Sequence, residues 1–212
     1  MRTREDLVRA VAAAGVSDPR VLQAVREVDR AGFVPPELAG RAYEDRPLPI
    51  PHDQVTTQPS LSAKMVEALG LRGSERVLEV GAGYGFQTAL LARLAGFVWS
   101  VERWPDIAAA ARENLERYGV ENARVVVGDG TEGLPEHAPY DAILVAAAFP
   151  EVPPPLVEQL APGGRLVQPV GPGGNEVVTL FEKETGGSLV RRRNITGAYF
   201  VRLYGRHGYA EE

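Results

Sequence analysis

Cysteine is absent from the 212 residues, which removes disulfides, thiolate nucleophiles and cysteine-ligated metals from consideration. Histidine is scarce: His52, His137 and His207 lie far apart without ligand spacing, so each reads as a loop or surface side chain and no metal site is expected. No apolar run approaches the roughly 18 residues that cross a membrane. The opening Met1-Arg2-Thr3-Arg4-Glu5-Asp6 leads into an amphipathic stretch instead of an apolar signal core, so the expected address is the cytoplasm. Positive charge is in deficit, with a net charge of −5, whereas proteins that grip nucleic acid through its phosphates carry a basic face. The one dense basic run, Arg191-Arg192-Arg193, reads as a charged strand edge that discourages edge-to-edge pairing. Internal repeats and low-complexity segments are also missing.

What is present suits one α/β domain: 44% of the residues are hydrophobic and 24% charged, enough for a full core. Leu7, Val8, Val11 and Ala12 recur at helical spacing before Gly15, and Ser17-Asp18-Pro19 opens a second helix that runs to about Val28. The polar, proline-rich stretch 34–59 is too long for an ordinary connector, so it is either functional, as a lid, or poorly ordered. Beyond Pro59, helices over 61–69, 86–95, 105–118 and 155–160 alternate with strands over 76–80, 97–101, 124–127, 141–146 and 165–170. Such alternation predicts a parallel sheet with helices on both faces. Segments 176–184 and 188–203, separated by Gly186-Gly187, predict an antiparallel hairpin at one sheet edge.

The sharpest signal is the run Val77-Leu78-Glu79-Val80 leading into Gly81-Ala82-Gly83-Tyr84-Gly85. Missing Cβ atoms allow a tight turn and close ligand approach, and the N–H groups of the following helix face whatever lies there. A dinucleotide fingerprint needs a glycine where Phe86 stands, so that reading fails. The spacing G-x-G-x-G, with Glu79 before it, resembles the class I methyltransferases that use S-adenosylmethionine, a cofactor with an amino-acid tail and no phosphate. Glu102 ends the second strand, where a carboxylate can accept both ribose hydroxyls. Gly128-Asp129-Gly130 ends the third and can meet the adenine edge. All three features fall at carboxyl ends of neighbouring strands, where open α/β sheets bind ligands. The expected cofactor residues are therefore Glu79, Gly81, Gly83, Gly85, Glu102, Asp129 and Gly130. In the plainer alternative the glycines only make a turn and Glu102 is a surface charge.

After the fourth strand, Ala146-Ala147-Ala148-Phe149-Pro150 supplies no polar group to orient an exocyclic base amine, which argues against DNA as substrate. Nearly the whole chain resembles protein-L-isoaspartate O-methyltransferases. The stretches that carry this are Ala42-Tyr43-Glu44-Asp45-Arg46-Pro47-Leu48-Pro49-Ile50, Gln54-Val55-Thr56-Thr57-Gln58-Pro59, Val77-Leu78-Glu79-Val80-Gly81 and Gly128-Asp129-Gly130. Ala138-Pro139-Tyr140-Asp141-Ala142-Ile143, Gln159-Leu160-Ala161-Pro162-Gly163-Gly164-Arg165-Leu166-Val167 and Pro169-Val170-Gly171 complete the series. The glycine motif is shared by many methyltransferases, whereas the segment before Pro59 is specific to this family.

The resemblance implies a Rossmann-like, mostly parallel doubly wound sheet with an antiparallel edge hairpin and an N-terminal helical extension. Residues 1–58 would form helices and a substrate or lid segment packed on a methyltransferase core of 59–212. It implies methyl transfer from S-adenosylmethionine to the free α-carboxylate of L-isoaspartyl residues, an ester that collapses to succinimide and so begins repair. The expected partners are isoaspartyl-containing proteins and peptides, with no nucleic acid or membrane, met by a monomer. Family members hold the substrate carboxylate with a serine hydroxyl, and Thr57 takes that catalytic position here, with a helix-entry cap as its plainer reading. Thr56, Gln58, Pro59, Val201 and Arg202 are the expected substrate contacts. Two departures stand out: Phe200-Val201-Arg202-Leu203 has arginine where the family has proline, and Phe149 stands where small residues or proline are usual. These departures leave open a single dedicated peptide substrate, or a non-catalytic module that binds the cofactor.

Overall fold

The computed structural model describes residues 2–172 and 174–210. Helix α1 (Arg4–Ala13) starts at a capping box in which the Asp6 N–H donates to Thr3 Oγ1 at 3.2 Å and the Thr3 N–H donates to Asp6 Oδ2 at 2.7 Å. Helix α2 (Pro19–Glu27) is capped by Asp18, with Pro19 at its first position, as the sequence predicts. Both bury their apolar stripes, and Leu7, Val11, Val25 and Phe33 join the same buried cluster as Val77, Leu91 and Val98. Glu67 of α3 (Pro59–Leu69) accepts the N–H groups of Ser17 and Asp18 at 2.7 and 2.6 Å, tying the α1–α2 connection to the core.

The stretch from 34 to 59 is built from named elements. Short 3₁₀ turns occupy Arg30–Phe33 and Pro36–Arg41, and strands β1 (Leu48–Ile50) and β2 (Gln54–Thr56) form an antiparallel hairpin. Its organiser is Arg30, a fully buried cation. Nη1 donates to the carbonyls of Ala42 and Glu44 at 2.8 and 3.0 Å, and Nη2 to the Arg46 carbonyl and Thr56 Oγ1 at 3.1 and 2.9 Å. Burial lowers its pKa to about 10, so it remains charged at neutral pH.

The main sheet contains β3 (Arg76–Val80), β4 (Phe97–Glu102), β5 (Ala123–Val127), β6 (Tyr140–Val145), β7 (Leu160–Val170), β8 (Glu176–Lys183) and β9 (Leu189–Ala198). Their order is β5-β4-β3-β6-β7-β8-β9, parallel from β5 to β7 and antiparallel for β8 and β9. Side-chain alternation divides the core. Val77, Val98, Ala142 and Leu144 face α1 to α3, α4 (Phe86–Ala92) and α5 (Pro105–Arg117). Leu78, Val80, Ile143 and Leu166 share the opposite cluster with Leu156 of the short α6 (Pro154–Gln159). β9 is the free edge, its Arg191, Arg192 and Arg193 are exposed, and Arg192 pairs with Glu182 and Glu184. No helix among the described residues is long and apolar enough to cross a membrane.

Two boundaries differ most from the sequence pattern. β7 begins at Leu160 and runs through Pro162-Gly163-Gly164, a register shift between Tyr140 and Ala142 accommodating the irregular start. The final strand ends at Ala198, before the predicted 203. The buried Glu176 accepts the Phe200 N–H at 3.0 Å and turns the chain away from β8. The chain then crosses to the end of β6, where the Ala148 N–H donates to the Val201 carbonyl and the Leu203 N–H to the Ala148 carbonyl, each at 2.8 Å.

Candidate active site

β3 delivers the glycine loop to the carboxyl end of the sheet. Gly81, Gly83 and Gly85 have φ of 92°, 53° and 91°, the left-handed region that β-carbons disfavour. Beneath the loop Glu79 is fully buried, accepting hydrogen bonds from Ser100 Oγ at 2.7 Å, Gln87 Nε2 at 3.1 Å and the Thr88 hydroxyl. Burial, opposed by these bonds, pushes its carboxyl up to about 7. Glu79 faces α4 and does not line the cleft above the loop; its bonds to Gln87, Thr88 and Ser100 are those of a loop anchor.

That cleft holds about 900 Å³ of empty space including its mouth. Gly81, Gly83 and Glu102 floor it, Ile50 and Gln54 of the hairpin wall it, and Arg202 of the returning C-terminal segment borders it. Glu102 is buried, and its Oε2 accepts the Gly83 N–H at 2.9 Å while Oε1 accepts the Trp104 N–H at 3.1 Å. Burial raises its pKa. The carboxylate lines the cleft, where its remaining acceptor capacity can meet a ligand hydroxyl. Gly130 lines the cleft, whereas Asp129 does not. The Asp129 carboxylate accepts the Thr131 N–H and hydroxyl at 2.8 and 2.7 Å and the Arg206 N–H at 2.7 Å, pinning the C-terminal segment.

Two lining residues carry no sequence signal, being a serine and a glutamine inside helices. Ser62 Oγ and Gln87 Oε1 are buried without a hydrogen-bond partner among the described residues, and both residues line the cleft. Orphaned buried polar atoms of this kind are costly unless a ligand satisfies them.

A second depression, about 1450 Å³ including open solvent, meets the cleft along a shared wall of Val55, Thr57, Ala146 and Val201. Gln58, Ser60 and Lys64 line its outer part. The Thr57 hydroxyl has no partner among the described residues, and the N-terminus of α3 has no side-chain cap, so the cap reading is set aside. Thr56 lines the cleft, but its hydroxyl is turned into the fold, accepting from Arg30 and from the Leu48 N–H at 3.1 Å. Gln58 reaches Asp45 and Ser60 through Nε2 at 3.0 and 3.1 Å. Pro59 is buried at the start of α3 and lines neither depression. Phe149 also lies outside both, packed edge-on against Tyr209 with ring centroids 5.1 Å apart.

No group of three or more His, Asp or Glu among the described residues could hold a metal ion. His52 and His137 are more than loop side chains, since each stacks on a tryptophan, Trp104 and Trp99 respectively.

The strand order, the glycine loop at the end of β3 and a buried carboxylate at the end of β4 define a Rossmann-like class I S-adenosylmethionine-dependent methyltransferase. Within that class, the chain belongs to the protein-L-isoaspartate(D-aspartate) O-methyltransferase family, whose model matches residues 2–208. A protein-L-isoaspartate O-methyltransferase of Methanoculleus marisnigri is 52% identical over 213 residues, covering 100% of this chain and 96% of its own. One from Anaeromyxobacter dehalogenans is 58% identical over 175 residues, covering 82% of this chain and 84% of its own. A solved protein-L-isoaspartate O-methyltransferase superposes with a TM-score of 0.85 at 34% identity, over 97% of this chain and 67% of that one. A Plasmodium falciparum structure described as a β-aspartate methyltransferase in complex with S-adenosyl-L-homocysteine shares the fold, with a TM-score of 0.81 at 23% identity over 96% and 99%.

Proposed function

We propose that the cleft holds S-adenosylmethionine and the adjoining groove holds a peptide, so that the chain methylates the free α-carboxylate of L-isoaspartyl residues and starts their repair. The observation that carries this reading is the meeting of the two depressions at Thr57, whose hydroxyl has no partner among the described residues. Bound there, S-adenosylmethionine supplies a methyl group already activated by a sulfonium, so a carboxylate that is ionised at neutral pH needs no general base to accept it.

The residues present fit that cofactor. Glu102 can accept both ribose hydroxyls, and the backbone at Gly81, Gly83 and Gly130 gives close approach. Gln87 Oε1 is an acceptor suited to an ammonium, and Ser62 Oγ a donor suited to a carboxylate, as the amino-acid tail requires. Glu79 acts from beneath, holding the loop through Gln87 and Thr88. Thr57 holds and orients the substrate carboxylate, with Val201 and Arg202 bounding its surroundings. The chain's contribution to rate is alignment and exclusion of water, effects worth several kcal/mol when reacting atoms are in line. We place the activity in the cytoplasm, in keeping with the cysteine-free composition, and assign it to a monomer.

The test is methyl transfer from radiolabelled S-adenosylmethionine to a short isoaspartyl peptide, with the aspartyl peptide as control. Label in the isoaspartyl peptide alone is expected. The Thr57→Ala variant should lose about 10- to 100-fold in turnover, the value of one hydrogen bond to a charged group, with cofactor affinity nearly retained. Thr57→Ser should keep most of the activity. Absence of label with the cofactor bound would shift the reading to a dedicated peptide or a silent module.

A further inference from the structure

The β1–β2 hairpin is a wall of the cofactor cleft, and its tip is fastened to the opposite rim. The turn residues His52 and Asp53 have φ of 61° and 54°, a left-handed conformation that histidine and aspartate adopt more readily than most side chains but still at a cost. The His52 ring lies flat on Trp104, with centroids 3.9 Å apart and planes 3° from parallel. His52 Nε2 lies 3.0 and 2.9 Å from the two oxygens of Asp106, which follows Trp104 at the start of α5. The His52 carbonyl accepts the Gln54 side-chain amide at 2.9 Å, holding the turn in shape.

Trp104 is coupled in turn to the ligand site. Its N–H donates to Glu102, and the guanidinium of Arg103 lies 4.9 Å from its ring and 5.1 Å from that of Tyr204, both Arg103 and Tyr204 lining the cleft. On the hairpin side, Ile50, Gln54 and Val55 line the same cleft. A ligand on the glycine loop is therefore enclosed by a hairpin whose base is held by Arg30 through Thr56 and whose tip is held by His52.

We propose that His52 is a positioning residue that clasps the β1–β2 hairpin over the bound cofactor, so that release of the spent cofactor requires the His52–Trp104–Asp106 contact to open. His52 lies outside the cleft lining and acts through the wall it holds. The inference rests on the reading of this cleft as the cofactor site.

The experiment measures the dissociation rate of S-adenosyl-L-homocysteine by stopped-flow tryptophan fluorescence, in a Trp99→Phe background so that Trp104 is the only tryptophan. His52→Ala is expected to raise the rate about 10-fold and Asp106→Ala, which leaves the ring stacked on Trp104, by less; the double variant should not exceed His52→Ala, because Asp106 acts through His52. His52→Phe, which keeps a flat ring on Trp104, should fall between. A KM for S-adenosylmethionine that rises while kcat holds or increases separates a clasp from general damage, which lowers kcat and leaves the release rate alone. An unchanged release rate in His52→Ala, or fully additive effects of the two alanine variants, overturns the clasp. Failure of the parent protein to bind S-adenosyl-L-homocysteine would instead overturn the assignment of the cleft.

Discussion

Glu79 shows how one residue can be prominent in a motif and yet lie outside the cleft lining. Strand alternation fixes its direction: Val80, the next residue, turns to the opposite face, so Glu79 must point under α4. There it is a carboxyl in a dry site with three donors, and its pKa rises from the ordinary 4.5 to about 7. A raised acid pKa means that the fold prefers the protonated form. The corresponding stabilisation is fully present below pH 4.5, is lost as pH rises to about 7, and changes little above that. A rise of this size corresponds to roughly 3 kcal/mol at most. Glu79→Gln removes the titration, so its stability relative to the parent should improve steadily from pH 4.5 to 7 and then level off. Urea unfolding at four pH values across that window checks this, and parallel pH profiles for the two proteins would sink it. The sequence made the position of Glu79 in the loop legible, but its partners come from α4 and β4, which only the packed structure brings together. Ser62 and Gln87 were illegible for the same reason, since a hydroxyl or amide oxygen without a partner among the described residues is a property of surroundings.

At the scale of elements, the helices and parallel strands of the core were legible because their apolar periodicities and caps agree with their burial. The stretch from 34 to 59 was not. Its strands are only three residues long, too short to show alternation, and the side chain that organises them precedes them in the chain. Arg30 donates to three main-chain carbonyls and one hydroxyl, with no carboxylate among its hydrogen-bond partners in the described residues. Such a guanidinium replaces the hydrogen bonds that a regular element would supply to its own backbone. Arg30→Met keeps the volume and removes every donor, leaving several buried acceptors unpaired, which costs roughly 3–4 kcal/mol. Arg30→Lys, a single cationic point, should recover only part of that. Because the hairpin hangs from this hub, affinity for S-adenosyl-L-homocysteine should fall together with stability. Calorimetry and urea unfolding on the two variants test the link, and full affinity in a destabilised Arg30→Met protein would show that the hairpin wall stands without its hub.

Across the whole molecule, the candidate site is assembled where an N-terminal and a C-terminal segment converge on the carboxyl edge of the sheet. The N-terminal side contributes the hairpin. The C-terminal side contributes 199–210, which leaves β9 at Ala198, pairs Val201 and Leu203 with Ala148 and is pinned by Asp129 at Arg206. Sequence pattern extended the last strand straight through this crossing, because an extended backbone reads alike whether it stays in a sheet or leaves it. Neither flank belongs to the parallel centre, so both are held by comparatively few bonds and should open more readily than β3 or β6. A cofactor that touches both must stabilise both. Addition of S-adenosyl-L-homocysteine should therefore slow amide hydrogen exchange over 48–56 and over 201–209 together, by about 10-fold or more at concentrations well above Kd. The amides of Val77 to Val80, already paired on both sides within the sheet, should change little. Protection confined to the glycine loop would mean that the two flanks stand apart from the ligand. Protection of the hairpin without the C-terminal segment would remove Val201 and Arg202 from the site and leave Thr57 to orient the substrate without them.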